Sequence, residues 1–266
     1  MKELTTWFGL KRQPFEKDIK PKDLFATEAL CECTARLDHL KRTGGIMLLT
    51  GDPGAGKTVA IRRFCDALND NLYRTIYTPL ATLSCIDILR HINQLLGLPQ
   101  RNAKSALFAQ IQHEILESRE QRGRTVVLVI DEAQLLQIGP LQELRLLTNF
   151  KMDSVEPFIL ILTGQSDLDR IMDYAILEPF TQRLRLRYHL PPLTAAETPP
   201  YVEHHLKLCG AGEPIFAKDA LAALHEVSYG IPRRIGATAV QAMFHSMFSE
   251  KRTVDANAVL KAKTGA

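Results

Sequence analysis

Short, unbroken apolar runs recur along the first two thirds of the chain, and stretches with apolar residues at helical spacing lie between them. Ile46-Met47-Leu48-Leu49-Thr50, Thr125-Val126-Val127-Leu128-Val129-Ile130 and Pro157-Phe158-Ile159-Leu160-Ile161-Leu162-Thr163 show no polar alternation. This is the mark of strands buried on both faces of a parallel sheet. Leu72 to Thr78 alternates β-formers and predicts a further strand. Thr181 to Leu190 alternates Arg with Leu, which predicts a last strand with one apolar face and one solvated basic face. The helical period predicts a helix over 27–40 (Ala29, Leu30, Cys33, Leu37, Leu40), ended by Gly44-Gly45, and another over 59–68. Two more are expected at about 84–96 and 103–122, parted by Gly97-Leu98-Pro99, then one at about 139–150 and one starting near Asp167. In the helix over 103–122, Leu107, Phe108, Ile111, Ile115 and Leu116 share a face whose work is packing.

Pro191-Pro192 marks a boundary, and beyond it the pattern is helical throughout: about 195–208, 217–228, 232–248 and 255–261. Pro232 suits a first helical position, and Ile235, Ala239 and Met243 form the buried stripe that follows. The expected organisation is an α/β domain over residues 1–190 and a small helical domain over 191–266. Residues 1–25 carry Trp7-Phe8-Gly9-Leu10 and Pro14-Phe15 among charged residues. They either staple the N-terminus to the core or supply an apolar wall for a base.

Composition narrows the classes. With 266 residues, 45% hydrophobic and 24% charged, the chain has the make-up of an ordinary globular protein long enough for two domains. Thirty-three basic against 30 acidic residues leave a net charge of +3, so binding to nucleic acid or membrane would need a local patch. Lys41-Arg42, Arg119 with Arg122 and Arg124, and Lys251-Arg252 are the candidate groups. No apolar run approaches the roughly 18 residues of a membrane span, and Met1-Lys2-Glu3-Leu4-Thr5-Thr6 leads into no signal-peptide core, so a cytoplasmic location is expected. Five scattered cysteines, with Cys31-x-Cys33 lacking a second pair, read as reduced, mostly buried thiols rather than metal ligands.

The candidate chemistry begins at Gly51-Asp52-Pro53-Gly54-Ala55-Gly56-Lys57-Thr58, which fits G-x-x-x-x-G-K-[ST] at every fixed position and sits between a predicted strand and a predicted helix. Glycines let successive backbone N–H groups turn inward around phosphate oxygens, and the positive end of the helix dipole points at the same place. Lys57 is expected to reach the β- and γ-phosphates of ATP, and Thr58 to place its hydroxyl on Mg²⁺. The buried strand over 125–130 ends in Asp131-Glu132-Ala133-Gln134. Carboxylates at that end of a parallel strand lie at the ligand edge of the sheet. Asp131 is then a candidate for the Mg²⁺ shell and Glu132 for orienting and polarising the attacking water. After the strand over 157–163, Gln165 is the first candidate to touch the γ-phosphate or the water, with Thr163 and Ser166 close behind; the alternative is that these residues only cap the next helix.

With these residues in view, nearly the whole chain resembles the AAA+ ATPases. Within them it is similar to the ExeA/GspA-like group, to which transposition ATPases of the TniB, TnsC and MuB kind are related. Beyond the two nucleotide motifs, the likeness is carried by Trp7-Phe8-Gly9-Leu10 with Pro14-Phe15, Glu143 to Phe150, Thr163-Gly164-Gln165, Arg187 to Leu193, and Gly230-Ile231-Pro232-Arg233. The resemblance implies a five-stranded parallel sheet in which the strand ending at Thr163 lies between the loop strand and the Asp131 strand, and a helical lid after residue 191. It also implies Gln165 as a first sensor, Arg233 as a second sensor, and Arg183 as a finger reaching a neighbouring subunit's ATP, with Arg170, Arg185 and Arg187 nearby as rivals. A finger acting in trans implies a homo-oligomer.

Two roles follow from the resemblance: an ATP-driven switch that assembles on duplex DNA to recruit or regulate a transposase, and an assembly ATPase of a secretion system. Members with the second role carry a membrane span and a cell-wall-binding part beyond the lid, whereas this sequence stops at Ala266, which favours the first. The N-K-x-D or T-K-x-D motif of a GTPase does not occur, and a Glu132 placed to activate water is unsuited to a kinase.

Overall fold

The computed structural model describes residues 3–16, 19–79 and 82–264; Met1 and Lys2, which open the segment read for a leader, lie outside them. The chain forms two compact units, one of Leu30–Gly51 with Lys57–Leu190, the other of Met1–Ala29, Asp52–Gly56 and Pro191–Ala266. A short helix, α1 (Leu4–Phe8), opens the second unit, and Gly9 ends it in the left-handed region at φ 68°.

The first unit is an α/β sheet. Its elements are α2 (Glu28–Thr43), β1 (Gly45–Gly51), α3 (Lys57–Asp66), β2 (Tyr73–Thr78), α4 (Cys85–Leu95), α5 (Lys104–Glu120), β3 (Thr125–Ile130), α6 (Ile138–Leu147), β4 (Phe158–Gly164), α7 (Asp167–Met172), α8 (Glu178–Thr181) and β5 (Leu184–Leu190). The five strands are all parallel, in the order β2-β3-β4-β1-β5. The placement of β4 between β1 and β3 is the one implied by the resemblance. The hydrophobic pattern explains who sits where. The three unbroken runs are β1, β3 and β4, buried at every position in the centre, and the two alternating segments are the edges. On β5, Arg185, Arg187 and His189 point to solvent while Tyr188 and Leu190 are buried.

Three departures from the sequence reading have local causes. β5 begins at Leu184 rather than Thr181, because Pro179 starts the turn of α8 and Thr181 Oγ1 bonds back to Leu177 O and Met172 O. α6 stops at Leu147, and buried Phe150 instead bridges to Val155. α3 stops at Asp66, short of the expected Leu68, whose N–H bonds instead to Cys65 O in a closing turn. The face of α5 is narrower than the pattern suggested: Leu107, Ile111 and Ile115 are buried, Phe108 and Leu116 only partly.

In the second unit α9 (Thr198–Leu208), α10 (Lys218–Ser228), α11 (Pro232–Phe248) and α12 (Ala256–Thr264) enclose a core that includes Val202, Leu224, Ile235, Ala239 and Met243. Leu4 and Leu10 are buried in the same core. Trp7 Nε1 donates to Lys251 O at 3.0 Å, the Arg252 guanidinium lies 4.3 Å from the Trp7 ring centroid, and Phe15 stacks on His205. The N-terminal segment, assigned by its sequence position to the α/β domain, is therefore fastened to the C-terminal helices by its apolar and aromatic side chains. Burial holds the His205 imidazole down to about 4, so it packs as a neutral ring at pH 7. Of the thiols, Cys33 and Cys209 are buried, Cys65 and Cys85 half-buried, and Cys31 exposed, so fewer are buried than expected.

Candidate nucleotide-binding site

The strand register aligns Thr50 with Gly164, Thr78 with Ile130 and Gly51 with Leu190, so all five strands end along one edge of the sheet. Lys57 and Thr58 start α3 at that edge. Lys57 is only 8% exposed, and its Nζ donates to Gly51 O at 2.7 Å, which offsets part of the cost of burying an ammonium. Thr58 Oγ1 donates to Asp131 Oδ2 at 3.2 Å, bringing together the two motifs 73 positions apart.

Asp131 is buried and accepts two further hydrogen bonds: Tyr77 OH to Oδ2 at 2.7 Å and the Glu132 N–H to Oδ1 at 2.9 Å. Burial, and then the bond to Asp131, push the Tyr77 phenol well above its ordinary value, so it remains a donor. A hydroxyl and a carboxylate oxygen converging at one point are hard oxygen donors of the kind Mg²⁺ takes one or two of, leaving its other positions to water and phosphate. Thr58 and Asp131 therefore fit such a cation.

Glu132 follows with left-handed backbone, φ 52° and ψ 35°, an uncommon conformation for a side chain with a Cβ. Its Oε2 accepts from Gln134 Nε2 at 2.6 Å and from Gln165 Nε2 at 3.4 Å, while the Gln165 N–H donates to Gln134 Oε1 at 3.1 Å. Thus Gln165, at the end of β4, meets Glu132. Thr163 is fully buried, and its hydroxyl has no hydrogen-bond partner among the described residues. Ser166 sits at the N-cap of α7 but makes no side-chain cap bond.

The loop residues Asp52, Pro53, Gly54, Ala55 and Gly56 group with the helical unit. Gly54 and Gly56 have φ of 88° and 109°, values open to glycine. Arg233, exposed at the start of α11, donates its backbone N–H to Gly54 O at 3.3 Å, and a Cβ on Gly54 would meet Arg233 Cβ at 2.6 Å.

Arg183 lies elsewhere. It precedes β5, whose Leu184 pairs with Ile46 at the start of β1, and its Nη1 donates to Thr148 Oγ1 at 3.2 Å. With Thr148, Glu156 and Arg185 it lines a cleft of about 410 Å³ at the amino edge of the sheet, away from Lys57 and Asp131. Among its rivals, Arg185 pairs with Glu156, Arg187 with Asp169 and Asp173, and Arg170 with Asp167.

The basic groups named as DNA candidates are also engaged. Arg122 binds Glu114 and Glu117, Arg119 donates to Thr125 Oγ1, and Arg124 donates to Asp70 O. Lys251 pairs with Asp255, Arg252 covers Trp7, and Lys41 lies over Tyr73.

Residues 40–172 match the family model described as AAA domain. The chain belongs to the AAA domain family. The chain is 35% identical over 233 residues to General secretion pathway protein A of Aeromonas hydrophila, a match that covers 87% of it. It spans 42% of that relative's length. Among solved structures, Cdc6p of Pyrobaculum aerophilum superposes with a TM-score of 0.67 at 16% identity, over 98% of this chain and 70% of that one. Drosophila ORC bound to DNA gives 0.69 at 17% identity, over 98% and 65%. The RuvB Holliday junction branch migration motor of Thermotoga maritima gives 0.57 at 18% identity, over 90% and 69%. These likenesses establish the fold. Among the described residues, no helix is long and apolar enough to cross a membrane.

Tyr77 and Gln134 are the site residues that sequence reasoning missed. Gln134 stood inside the quoted Asp131-Glu132-Ala133-Gln134 without a role, and Tyr77 counted only as a β-former near the end of its strand.

Proposed function

We propose that this AAA domain binds ATP at the loop after β1, hydrolyses it, and uses its nucleotide state to control association with further copies of itself. The reading is supported above all by one juxtaposition: Thr58, Asp131, Glu132 and Gln165, from three separate segments, gathered at the carboxyl edge of β1, β3 and β4. Lys57 and the loop N–H groups bind the triphosphate, and Thr58 with Asp131 hold Mg²⁺. Bound Mg²⁺ supplies charge neutralisation of the phosphates. Glu132 orients a water and accepts its proton, and Gln165 reads the end of the triphosphate.

The finer role we propose is a nucleotide-driven switch in a secretion pathway, a reading supported by the 35% identity to a general secretion pathway protein. The test is steady-state phosphate release with mant-ATP binding measured in parallel. Wild-type protein is expected to turn over, and Glu132→Gln to bind nucleotide as well as wild type but to release phosphate at least about 100-fold more slowly. Normal release by Glu132→Gln overturns the assignment of Glu132. ATP-dependent co-sedimentation with duplex DNA would favour the transposase-recruiting role over the secretion role.

A further inference from the structure

The amide of Gln134 touches both functional strand ends. One end donates to Glu132 Oε2 at 2.6 Å and the other accepts from the Gln165 backbone N–H at 3.1 Å. To do so it crosses directly over Gly164, where an added Cβ would meet Gln134 Oε1 at 2.5 Å and the Gln134 backbone N at 3.3 Å. Gly164 has an ordinary backbone and sits in a fully buried strand, where glycine costs stability relative to a side chain. The same Cβ would meet Leu168 Cδ2 at 2.9 Å, so a larger residue there would displace both Leu168 and the Gln134 amide from Gln165 N–H.

Occupying Oε2 has a chemical consequence. A carboxylate on a rotatable stem can offer either oxygen in many directions. With Oε2 held by the amide N–H groups of Gln134 and Gln165, the side chain is fixed in one rotamer. Oε1 is then the oxygen left without a protein hydrogen bond among the described residues. The strained backbone of Glu132, φ 52°, sets where the side chain starts, and Gln134 sets where it ends.

We infer that Gln134 is a positioning residue for ATP hydrolysis. It locks Glu132 so that Oε1 faces the attacking water, and ties that orientation to the end of β4 through Gln165. The assignment rests on the reading of Glu132 as the water-orienting carboxylate. Gln134 itself touches no reacting atom in this scheme.

Two variants separate the two ends of the amide. Gln134→Leu keeps bulk but removes both bonds. Turnover is expected to fall about 10- to 100-fold, the usual cost of losing an outer partner of a catalytic group, with mant-ATP affinity unchanged. The Gln165 amide proton, read by hydrogen exchange, is expected to exchange about tenfold faster on losing its acceptor. Gln134→Glu keeps an acceptor for Gln165 N–H but places a carboxylate where the donor to Glu132 had been. Here amide protection is retained while turnover falls at least as far as in Gln134→Leu. A merely structural glutamine predicts the reverse, with the better-preserved variant keeping the better activity. If wild-type protein turns over ATP and either variant turns over within twofold of it, the positioning role is wrong and the ATPase reading stands. If wild-type protein releases no phosphate, the ATPase reading fails and takes this assignment with it.

Discussion

Lys57 and Tyr77 do different kinds of work at the same edge of the sheet. Lys57 rests on a neutral carbonyl, Gly51 O, in a site where water is scarce. A phosphate oxygen is a stronger, charged acceptor for the same ammonium. Removing the side chain by Lys57→Ala is expected to weaken mant-ATP binding by about 100-fold or more, the range for deleting a charged partner from a desolvated contact. Wild-type affinity in that variant would mean that the loop does not hold the triphosphate. Tyr77 bears on the proposed cation site instead, because its phenol shares Asp131 Oδ2 with Thr58. Tyr77→Phe removes one donor from that oxygen and leaves the ring, which is 43% exposed, to pack as before. The Mg²⁺ concentration needed for half-maximal mant-ATP binding should rise by about tenfold, as for loss of an outer hydrogen bond at a metal ligand. An unchanged Mg²⁺ titration would show that the phenol does not orient Asp131.

At the scale of elements, the turn after α10 shows what backbone constraints add to pattern. Tyr229 and Gly230 both take left-handed backbone, at φ 56° and 69°, and Gly230 exchanges hydrogen-bonding proximity with the chain entering the helical unit: Leu193 N–H donates to Gly230 O at 2.8 Å. A Cβ on Gly230 would stand 2.0 Å from Leu193 O, closer than any real contact. Gly230→Ala must therefore both strain φ and break that junction. It is expected to destabilise the helical unit by about 2–4 kcal/mol, read as a lower thermal midpoint of its unfolding. A midpoint within 1 °C of wild type would show that the turn relaxes freely. Much of the fold was legible before any coordinates, because period decides element type and run length decides sheet position: continuous runs became β1, β3 and β4, and alternating ones became the edges. That the loop ending in Lys57-Thr58 and the Asp131-Glu132 pair would meet was legible because both motifs sit at carboxyl ends of predicted parallel strands. What was hidden depends on pairing across the sheet. That Tyr77 faces Asp131 follows from the β2–β3 register, in which Tyr77 pairs with Val129, and no local pattern encodes that register. That Gln134 reaches Gln165 requires β4 to lie beside β3, which resemblance alone supplied. The packing of residues 3–16 on the helical unit is likewise a long-range choice, made by where Leu4, Trp7 and Phe15 find partners.

For the whole molecule, the decisive distance is the length of the sheet. Arg183 precedes Leu184, which pairs with Ile46 near the start of β1, while Gly51 at the other end of β1 pairs with Leu190. Five residues of strand at about 3.3 Å each separate the two ends by roughly 16 Å, more than twice the reach of an arginine side chain. An arginine placed there does not serve the triphosphate of its own chain; it lines a cleft at the amino edge, and the finger reading has a second copy meet it at that edge. If Arg183 completes a neighbour's site, nucleotide state governs association, and hydrolysis requires two subunits even though binding requires one. Arg183→Ala is then expected to bind mant-ATP like wild type yet hydrolyse about 10³-fold more slowly, the scale of a finger removed from phosphoryl transfer. Mixing sharpens the test, since Glu132→Gln subunits keep Arg183 and Arg183→Ala subunits keep Glu132. At some mixed interfaces an intact Glu132 site meets an intact Arg183, so phosphate release by the mixture should exceed the sum of the separate variants. An Arg183 that only braces Thr148 within its own chain gives no such recovery, and simple additivity across all mixing ratios would return this residue to a structural role.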